Sequence, residues 1–260
     1  MSFNFHKYHG TGNDFIIIND PRSDFPEENY ELIRHLCERR FGIGADGLIL
    51  IRNHVDMDFR MVYFNSNGKE GSMCGNGGRC AVAFAYREGL CRDSATFMAI
   101  DGTHVAKVIR PEHIQLKMQP VKSIRIQHDH YELDTGSPHY VTFVDQVEEV
   151  DVYKLGQEIR LSNAFRSEGI NVNFVEHGPE HIIVRTYERG VENETFSCGT
   201  GVVASALCAS LRESSEKTEY QVRTKGGDLN VSFRIEGEHS FRNIILVGPA
   251  EFVYQGTIET

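Results

Sequence analysis

The chain has 260 residues, 40% of them hydrophobic and 25% charged, with 27 basic against 37 acidic side chains and a net charge of −10. That length suits one large domain or two ordinary ones and is enough to bury a core. The acidic balance, with no extended Lys/Arg cluster, excludes nucleic-acid binding through a basic face; an anionic small ligand stays open, because helix N-termini hold anions through backbone N–H groups.

In chain order, the N-terminal MSFNFHKYHG has no signal-peptide pattern, and no apolar run approaches the roughly 18 residues that span a membrane. The six cysteines, Cys37, Cys74, Cys80, Cys91, Cys198 and Cys208, therefore read as reduced thiols of a cytoplasmic protein. There is no CxxC, and Cys74-x5-Cys80 is a poor zinc spacing, so no metal site is expected. Strands are predicted at 3–9, 14–19, 48–52 and 58–64, with a helix near 28–40 where Leu32, Ile33, Leu36 and Cys37 recur at helical spacing. Between the first two strands, Gly10-Thr11-Gly12-Asn13-Asp14-Phe15 reads as a hairpin turn that could offer Asn13 to a ligand. Gly42 to Gly47 match GxGxxG, but a helical segment precedes them and LILIR follows, the reverse of a dinucleotide fingerprint. A helix over 77–88 and strands near 95–100, 103–109 and 113–118 follow, and then a crossover over 120–128. The second half repeats the order: strands 130–134 and 139–144, a helix near 151–159, strands 171–176 and 181–188, a helix over 201–212, and four closing β-runs at 218–224, 228–235, 241–247 and 250–257.

The helices at 77–88 and 201–212 follow near-copies of one motif. Cys74-Gly75-Asn76-Gly77 and Cys198-Gly199-Thr200-Gly201 stand at a constant offset of 124 positions. At that offset Tyr63 meets Tyr187 and Glu70 meets Glu194 without a gap. A Cys leading a helix N-terminus has a lowered pKa, and two such thiols can address one carbon. One takes a proton as thiolate while the other gives a proton to the opposite face, which inverts a stereocentre. Each thiol must come from a different part of the fold, and a duplicated chain meets that need. Gly75, Gly77, Gly199 and Gly201 permit close backbone approach, and Asn76 and Thr200 add side-chain hydrogen bonds around a carboxylate. Taken singly, a Cys before Gly is more often a buried small hydrophobe than a catalyst; the repetition decides for catalysis. Glu188 and Arg189 end a strand and, in a cleft, could tune a thiol or hold a carboxylate; His139 alone reads as a core or surface histidine.

These residues resemble the diaminopimelate epimerase family. HGTGNDF, RRFGIGADG, YFNSNG…CGNGGRC, INVNFV, YERG and SCGTG occur in the family's order across nearly the whole chain. The resemblance implies an α+β fold of two pseudo-symmetric domains from duplication, each a curved, mostly antiparallel β-sheet or barrel wrapped around a central helix. Their expected extents are 1–119 with 249–260, carrying Cys74, and 120–248, carrying Cys198, with the ligand in the crevice between them. It implies interconversion of LL- and meso-diaminopimelate, a step feeding lysine and cell-wall synthesis, with no cofactor, in a homodimer without nucleic-acid or membrane partners. Cys74 and Cys198 then look like the acid/base thiols, and Gly75, Asn76, Gly199 and Thr200 like the cradle of the reacting carboxylate. Asn13, Asn65, Asn171 and Arg189 look like contacts to the distal end of the substrate. His139 and Glu188 look like groups that position the reacting amino group and tune the thiols. The chain departs from the commonest pattern at Ser137, in place of Asn, at Gly47, in place of Gln, and in a loop over 190–195 that is one residue longer.

Three rivals stand beside this reading, one of them an isomerase of the same fold that uses a carboxylate base and would lack the paired Cys. Another two-thiol racemase resembling proline racemase would carry His after the first Cys-Gly, where this chain has Asn76. A non-catalytic amino-acid-binding protein would keep the glycine cradle but would not need both thiols.

Overall fold

A computed structural model describes every residue except Met1, Ser72, Pro179, Ser214, Ser215 and Thr260. The chain separates into two compact units, Met1–Leu116 with Gly248–Thr260, and Lys117–Val247.

The first unit runs β1 (Ser2–Gly10), β2 (Asn13–Asn19), α1 (Tyr30–Cys37), β3 (Gly47–Arg52), β4 (Phe59–Asn65), α2 (Gly75–Arg87), β5 (Ser94–Ala99), β6 (Gly102–Arg110) and β7 (His113–Lys117). Neighbouring strands pair in chain order. The β1/β2, β3/β4, β5/β6 and β6/β7 pairs are antiparallel, while β2/β3 and β4/β5 are parallel. The C-terminal strand Glu251–Glu259 closes this unit by pairing antiparallel with β1. The two parallel pairs explain the two helices, since a parallel connection needs a crossover.

Burial follows from the strand alternation. Ile16, Ile18, Leu48 and Leu50 cluster with Ile33 and Leu36 of α1. On the other face, Phe15, Ile49 and Met61 lie against α2, close enough to touch a Cβ placed at Gly77. Because β3 is covered on both sides, GLILIR is buried along its whole length. Helix α2 is the central element; every residue from Gly75 to Ala85 is buried. Helix α1 is shorter than the segment 28–40 predicts. Asn29 caps its start by accepting from the Leu32 N–H, and Glu38 leaves helical geometry at ψ 120°. The chain then folds back so tightly that a Cβ at Gly42 would stand 2.0 Å from the His35 carbonyl.

The second unit contains β8 (Ile124–Ile126), β9 (Tyr131–Asp134), β10 (Pro138–Val144), a 3₁₀ turn at Val147–Glu149, α3 (Val152–Arg160), β11 (Asn171–His177), β12 (His181–Glu188), β13 (Asn193–Thr195), α4 (Gly199–Glu213), β14 (Glu219–Thr224), β15 (Gly227–Gly237) and β16 (Ser240–Pro249); the strand Glu251–Glu259 is β17. From β9 onward the pairing repeats the first unit. The β9/β10 pair is antiparallel, β10/β11 parallel, β11/β12 antiparallel, β12/β14 parallel, and β14/β15 and β15/β16 antiparallel. Helix α4 packs on the inner faces of β9 to β12, β14 and β15. A smaller cluster built on Val172, Phe174, Tyr187 and Val152 seats α3 outside. The fold is therefore α+β and duplicated, each unit a mostly antiparallel sheet around a central helix. Two short strands escape the sequence pattern. β8 lies inside the segment read as a crossover, and β13 hydrogen-bonds to the end of β12. Each has three residues, too few for a period of two to register.

Candidate active site

In the first unit, the β1–β2 hairpin sets the site. Gly10 pairs with Asn13 across the two-residue turn Thr11-Gly12, whose φ angles of 51° and 83° are both left-handed. That is the turn whose twist matches a hairpin, and it delivers Asn13 to the start of α2. A Cβ at Gly10 would lie 3.2 Å from both the Asn76 carbonyl and the Arg79 guanidinium, so the glycine lets the hairpin press onto the helix. Cys74 occupies the N-cap position with extended backbone (φ −104°, ψ 122°), and its carbonyl accepts the first helical bond, from Gly78, at 2.7 Å. The opening N–H groups of a helix have no partner within it, so Cys74 stands where an anion is favoured.

The half-buried Cys74 Sγ donates to Asn13 Oδ1 at 3.6 Å, and Asn76 Nδ2 donates to the same oxygen at 3.3 Å. Two arrangements hold those amides in place. Arg79, fully buried, donates to Asn76 Oδ1 at 2.9 Å and to the carbonyls of Gly75 and Pro249, each at 3.3 Å. Burial pulls its guanidinium down to about 10. On the other side, Asn13 Nδ2 donates to Asp46 Oδ2 at 2.8 Å. Arg39 bridges Asp46 and Asp14, at 2.9 and 2.7 Å, and Lys7 pairs with Asp14 at 2.7 Å while also donating to the Gly44 carbonyl. Burial opposes ionisation of Asp14, but the hydrogen bonds and charges of Arg39 and Lys7 overcome it and hold the carboxyl at about 2. This four-residue charge lattice fixes which end of the Asn13 amide faces Cys74.

Asn65 sits at the end of β4, in register with Gly47 of β3. Its Oδ1 accepts from the Tyr63 hydroxyl at 3.1 Å. The Tyr63 ring explains Gly47. A Cβ there would stand 2.5 Å from the ring and 2.6 Å from the Phe64 carbonyl.

In the second unit, Cys198 is 6% exposed and immediately precedes α4, and its carbonyl accepts from Val202 at 2.8 Å. Its Sγ lies 3.5 Å from the Thr200 hydroxyl, and the Thr200 carbonyl accepts from Thr135 at 3.0 Å. Beneath it lies Asn173, fully buried. Its Nδ2 donates to the Tyr140 carbonyl at 2.9 Å and to His139 Nδ1 at 3.1 Å, and its Oδ1 accepts from Thr186 at 3.0 Å. A Cβ at Gly201 would fall 2.3 Å from that Oδ1. With Nδ1 accepting, the proton of His139 sits on Nε2. His139 is wholly buried; burial, aided by the charge of Arg189, pulls it down to about 3, so the imidazole is neutral. Its Nε2 has no partner among the described residues.

Asn171, Arg189 and Ser137 form a further cluster. Asn171 Oδ1 accepts from the Arg189 backbone N–H at 2.8 Å, and its Nδ2 donates to Ser137 Oγ at 2.9 Å. The Arg189 guanidinium donates to the Glu168 carbonyl at 3.1 Å and to Ser137 Oγ at 3.4 Å. Ser137, one of the residues that depart from the commonest pattern, thus accepts from both neighbours. Glu188 accepts from the Thr195 hydroxyl at 3.0 Å. A cavity of about 810 Å³ opens beside His139, lined by Glu132, Asp134, Pro138, Phe165 and Glu168.

The structure thus gathers Asn13, Cys74, Gly75 and Asn76 at one helix start, Cys198, Gly199 and Thr200 with His139 at another, and Asn171 with Arg189. Sequence reasoning missed Asp46, Arg39, Lys7, Arg79 and Asn173. Asn173 left a signal: INVNFV is apolar apart from two Asn, and places Asn173 two residues from Asn171, on the same face of a strand. The remaining four cysteines are buried, and burial raises each thiol: Cys37 to about 12, Cys91 to about 11, and Cys80 and Cys208 well above their usual value. Among the described residues no His/Cys/Asp/Glu cluster could hold a metal ion, and no helix is long and apolar enough to cross a membrane.

The family model described as diaminopimelate epimerase matches residues 5–124 and 131–253. The chain belongs to the diaminopimelate epimerase family. It is 47% identical to the diaminopimelate epimerase of Flavobacterium psychrophilum, over 97% of this chain and 99% of that one. It is 41% identical to that of Chlorobaculum tepidum, over 96% and 98%. The family makes it an isomerase. Among solved structures, the fold is shared with a PhzF-family phenazine biosynthesis protein of Bacillus anthracis (TM-score 0.76, 15% identity, 100% of both chains). It is also shared with a hydroxyproline epimerase of Agrobacterium vitis bearing trans-4-hydroxy-L-proline (TM-score 0.69, 14% identity, 99% and 92% of the two chains).

Proposed function

We propose that this isomerase interconverts LL- and meso-diaminopimelate by a two-thiol proton transfer. The carrying observation is that Cys74 and Cys198 each stand directly before the buried central helix of a unit with the same strand topology. One sulfur, as thiolate, takes the Cα proton, and the electron pair passes into the adjacent carboxylate. The other, as thiol, returns a proton to the opposite face and becomes the thiolate. Electrons and protons balance with no further reactant, so the reading includes no pyridoxal phosphate or other cofactor. Deprotonation beside a carboxylate is difficult, and preorganised N–H groups offset much of that cost. Gly75 and Asn76, with Gly199 and Thr200, supply them at the two helix starts. Arg189, steadied through Ser137 and the Glu168 carbonyl, suits the distal carboxylate together with Asn171, Asn13 and Asn65. Neutral His139 offers an Nε2–H donor, and Glu188 an acceptor, near the amino group.

The same reading divides the chain at 119/120 and 248/249 into two halves carrying one thiol each, and the repeated pairing order supports it. It extends to a homodimer in the cytoplasm serving lysine synthesis, on the strength of the family resemblance. Incubation with LL-diaminopimelate in deuterated water under reductant tests the reaction. Deuterium entry at Cα together with meso product is expected; neither signal from folded, reduced protein would remove diaminopimelate as substrate. Exchange on proline instead would favour the proline racemase type, and no exchange on any amino acid a binding protein.

A further inference from the structure

Tyr63 lies in a slot made by two glycines. A Cβ at Gly47 would meet its Cε2 at 2.5 Å and its hydroxyl oxygen at 3.0 Å, while a Cβ at Gly71 would meet Cε1, on the other edge of the ring, at 2.6 Å. The Gly71 N–H donates to the Tyr63 carbonyl at 2.8 Å, which holds that second wall in place. Phe15 meets the ring edge-on, with centroids 6.0 Å apart. The backbone has thus made room on both sides for an aromatic ring that is only half-buried. At the end of the ring, the hydroxyl donates to Asn65 Oδ1 at 3.1 Å. The Cβ at Gly71 would also fall 2.8 Å from Asn65 Nδ2, so the same slot bounds the amide. An Asn side chain has one acceptor oxygen and one donor NH₂. With the oxygen committed to Tyr63, Asn65 is held with its NH₂ as the group offered outward; that NH₂ has no protein partner among the described residues, and Asn65 is exposed.

The duplication supplies a comparison. Tyr187, the equivalent of Tyr63, is 0% exposed, and its hydroxyl donates to Glu192 at 3.2 Å. The equivalent of Asn65 is Arg189, a cation. One copy of the tyrosine is core; the other is poised beside a polar residue at the mouth of a strand.

We infer that Tyr63 is a positioning residue for substrate specificity: it fixes the Asn65 amide so that its N–H group meets the carboxylate of diaminopimelate remote from the reacting carbon. The inference rests on the proposed reaction. Its test is a double-mutant cycle of Tyr63→Phe and Asn65→Ala, read as KM and kcat for LL-diaminopimelate and as calorimetric Kd. Phe keeps the ring in its slot and removes the hydroxyl that donates to Asn65. Tyr63→Phe is expected to raise KM and Kd about five- to tenfold with kcat changed less than about twofold, and with the urea midpoint retained. In the Asn65→Ala background the same substitution is expected to change neither KM nor Kd, because the group it positions is gone. Unchanged KM and Kd in Tyr63→Phe, or an equal rise in both backgrounds, overturns the inference while leaving the reaction standing. No turnover in the wild-type protein overturns the reaction instead, and if LL-diaminopimelate also fails to bind, the role of Tyr63 falls with it.

Discussion

Asp14 ties the Asn13 support to the stability of the first unit, and the size of that tie can be worked out. Its carboxyl is held at about 2 against an ordinary value of 3.8. The unfolded chain therefore binds the proton more tightly than the folded one, and stability rises with pH across that window. The interval corresponds to about 2.4 kcal/mol at neutral pH, of which about 1 kcal/mol is lost by pH 3 and the remainder below it. Asp14→Asn removes this component and leaves Lys7, 6% exposed, with the Gly44 carbonyl in place of a carboxylate. A loss of about 3 kcal/mol at pH 6 is expected, in the range for breaking a buried ion pair from one side. Urea unfolding of both proteins at pH 6 and pH 3 measures it. Asp101 and Glu194, also held low by their partners, titrate in both proteins and cancel in the comparison. The gap between wild type and variant should narrow by about 1 kcal/mol at the lower pH. Parallel behaviour at the two pH values would show that Asp14 is not held low by this lattice.

Cys74→Ala and Cys198→Ala are each expected to abolish epimerisation in the stereospecific assay; near-normal turnover in either sinks the two-thiol mechanism. Oxidation that consumes both thiols should abolish activity, and reductant should restore it. Gly201→Ala drives a Cβ to 2.3 Å from Asn173 Oδ1, so a stability loss of about 1–3 kcal/mol is expected, together with a fall in turnover; an unchanged urea midpoint would refute the close packing. His139, held at about 3, should remain the neutral Nε2–H tautomer from pH 5 to 9 in nitrogen-15 NMR spectra, and a titration near 6.5 would contradict its burial.

The elements legible in the sequence are those with a local cause. LILIR announced a strand, and the glycine-rich turn from Gly10 to Phe15 a hairpin. The repeated Cys-Gly announced two helix starts, because an internal repeat needs no knowledge of tertiary contacts. What stayed hidden depends on long-range partners. Asp46 looks like a loop acid until β2 and β3 bring it to Asn13. Arg79 reads as the polar face of a helix, yet α2 is buried on every side from Gly75 to Ala85. The gap-free offset also conceals a shift. Phe64 opposes Glu70 in the first hairpin, whereas Tyr187, the equivalent of Tyr63, opposes Glu194 in the second. A sequence alignment cannot register a one-residue change in pairing when no residue is inserted.

The two units also differ in when they can be finished. The second is a continuous stretch, Lys117–Val247, so it can be completed without a segment from elsewhere in the chain. The first is assembled from both chain ends: β1 stays an uncovered edge on one side until β17, Glu251–Glu259, arrives to pair with it from Ser2 to His9. Domains fold as units during synthesis, at about 5–20 residues per second. The unit carrying Cys74 thus begins before the unit carrying Cys198 and cannot be completed until after it, so β1 keeps one strand edge open for longer.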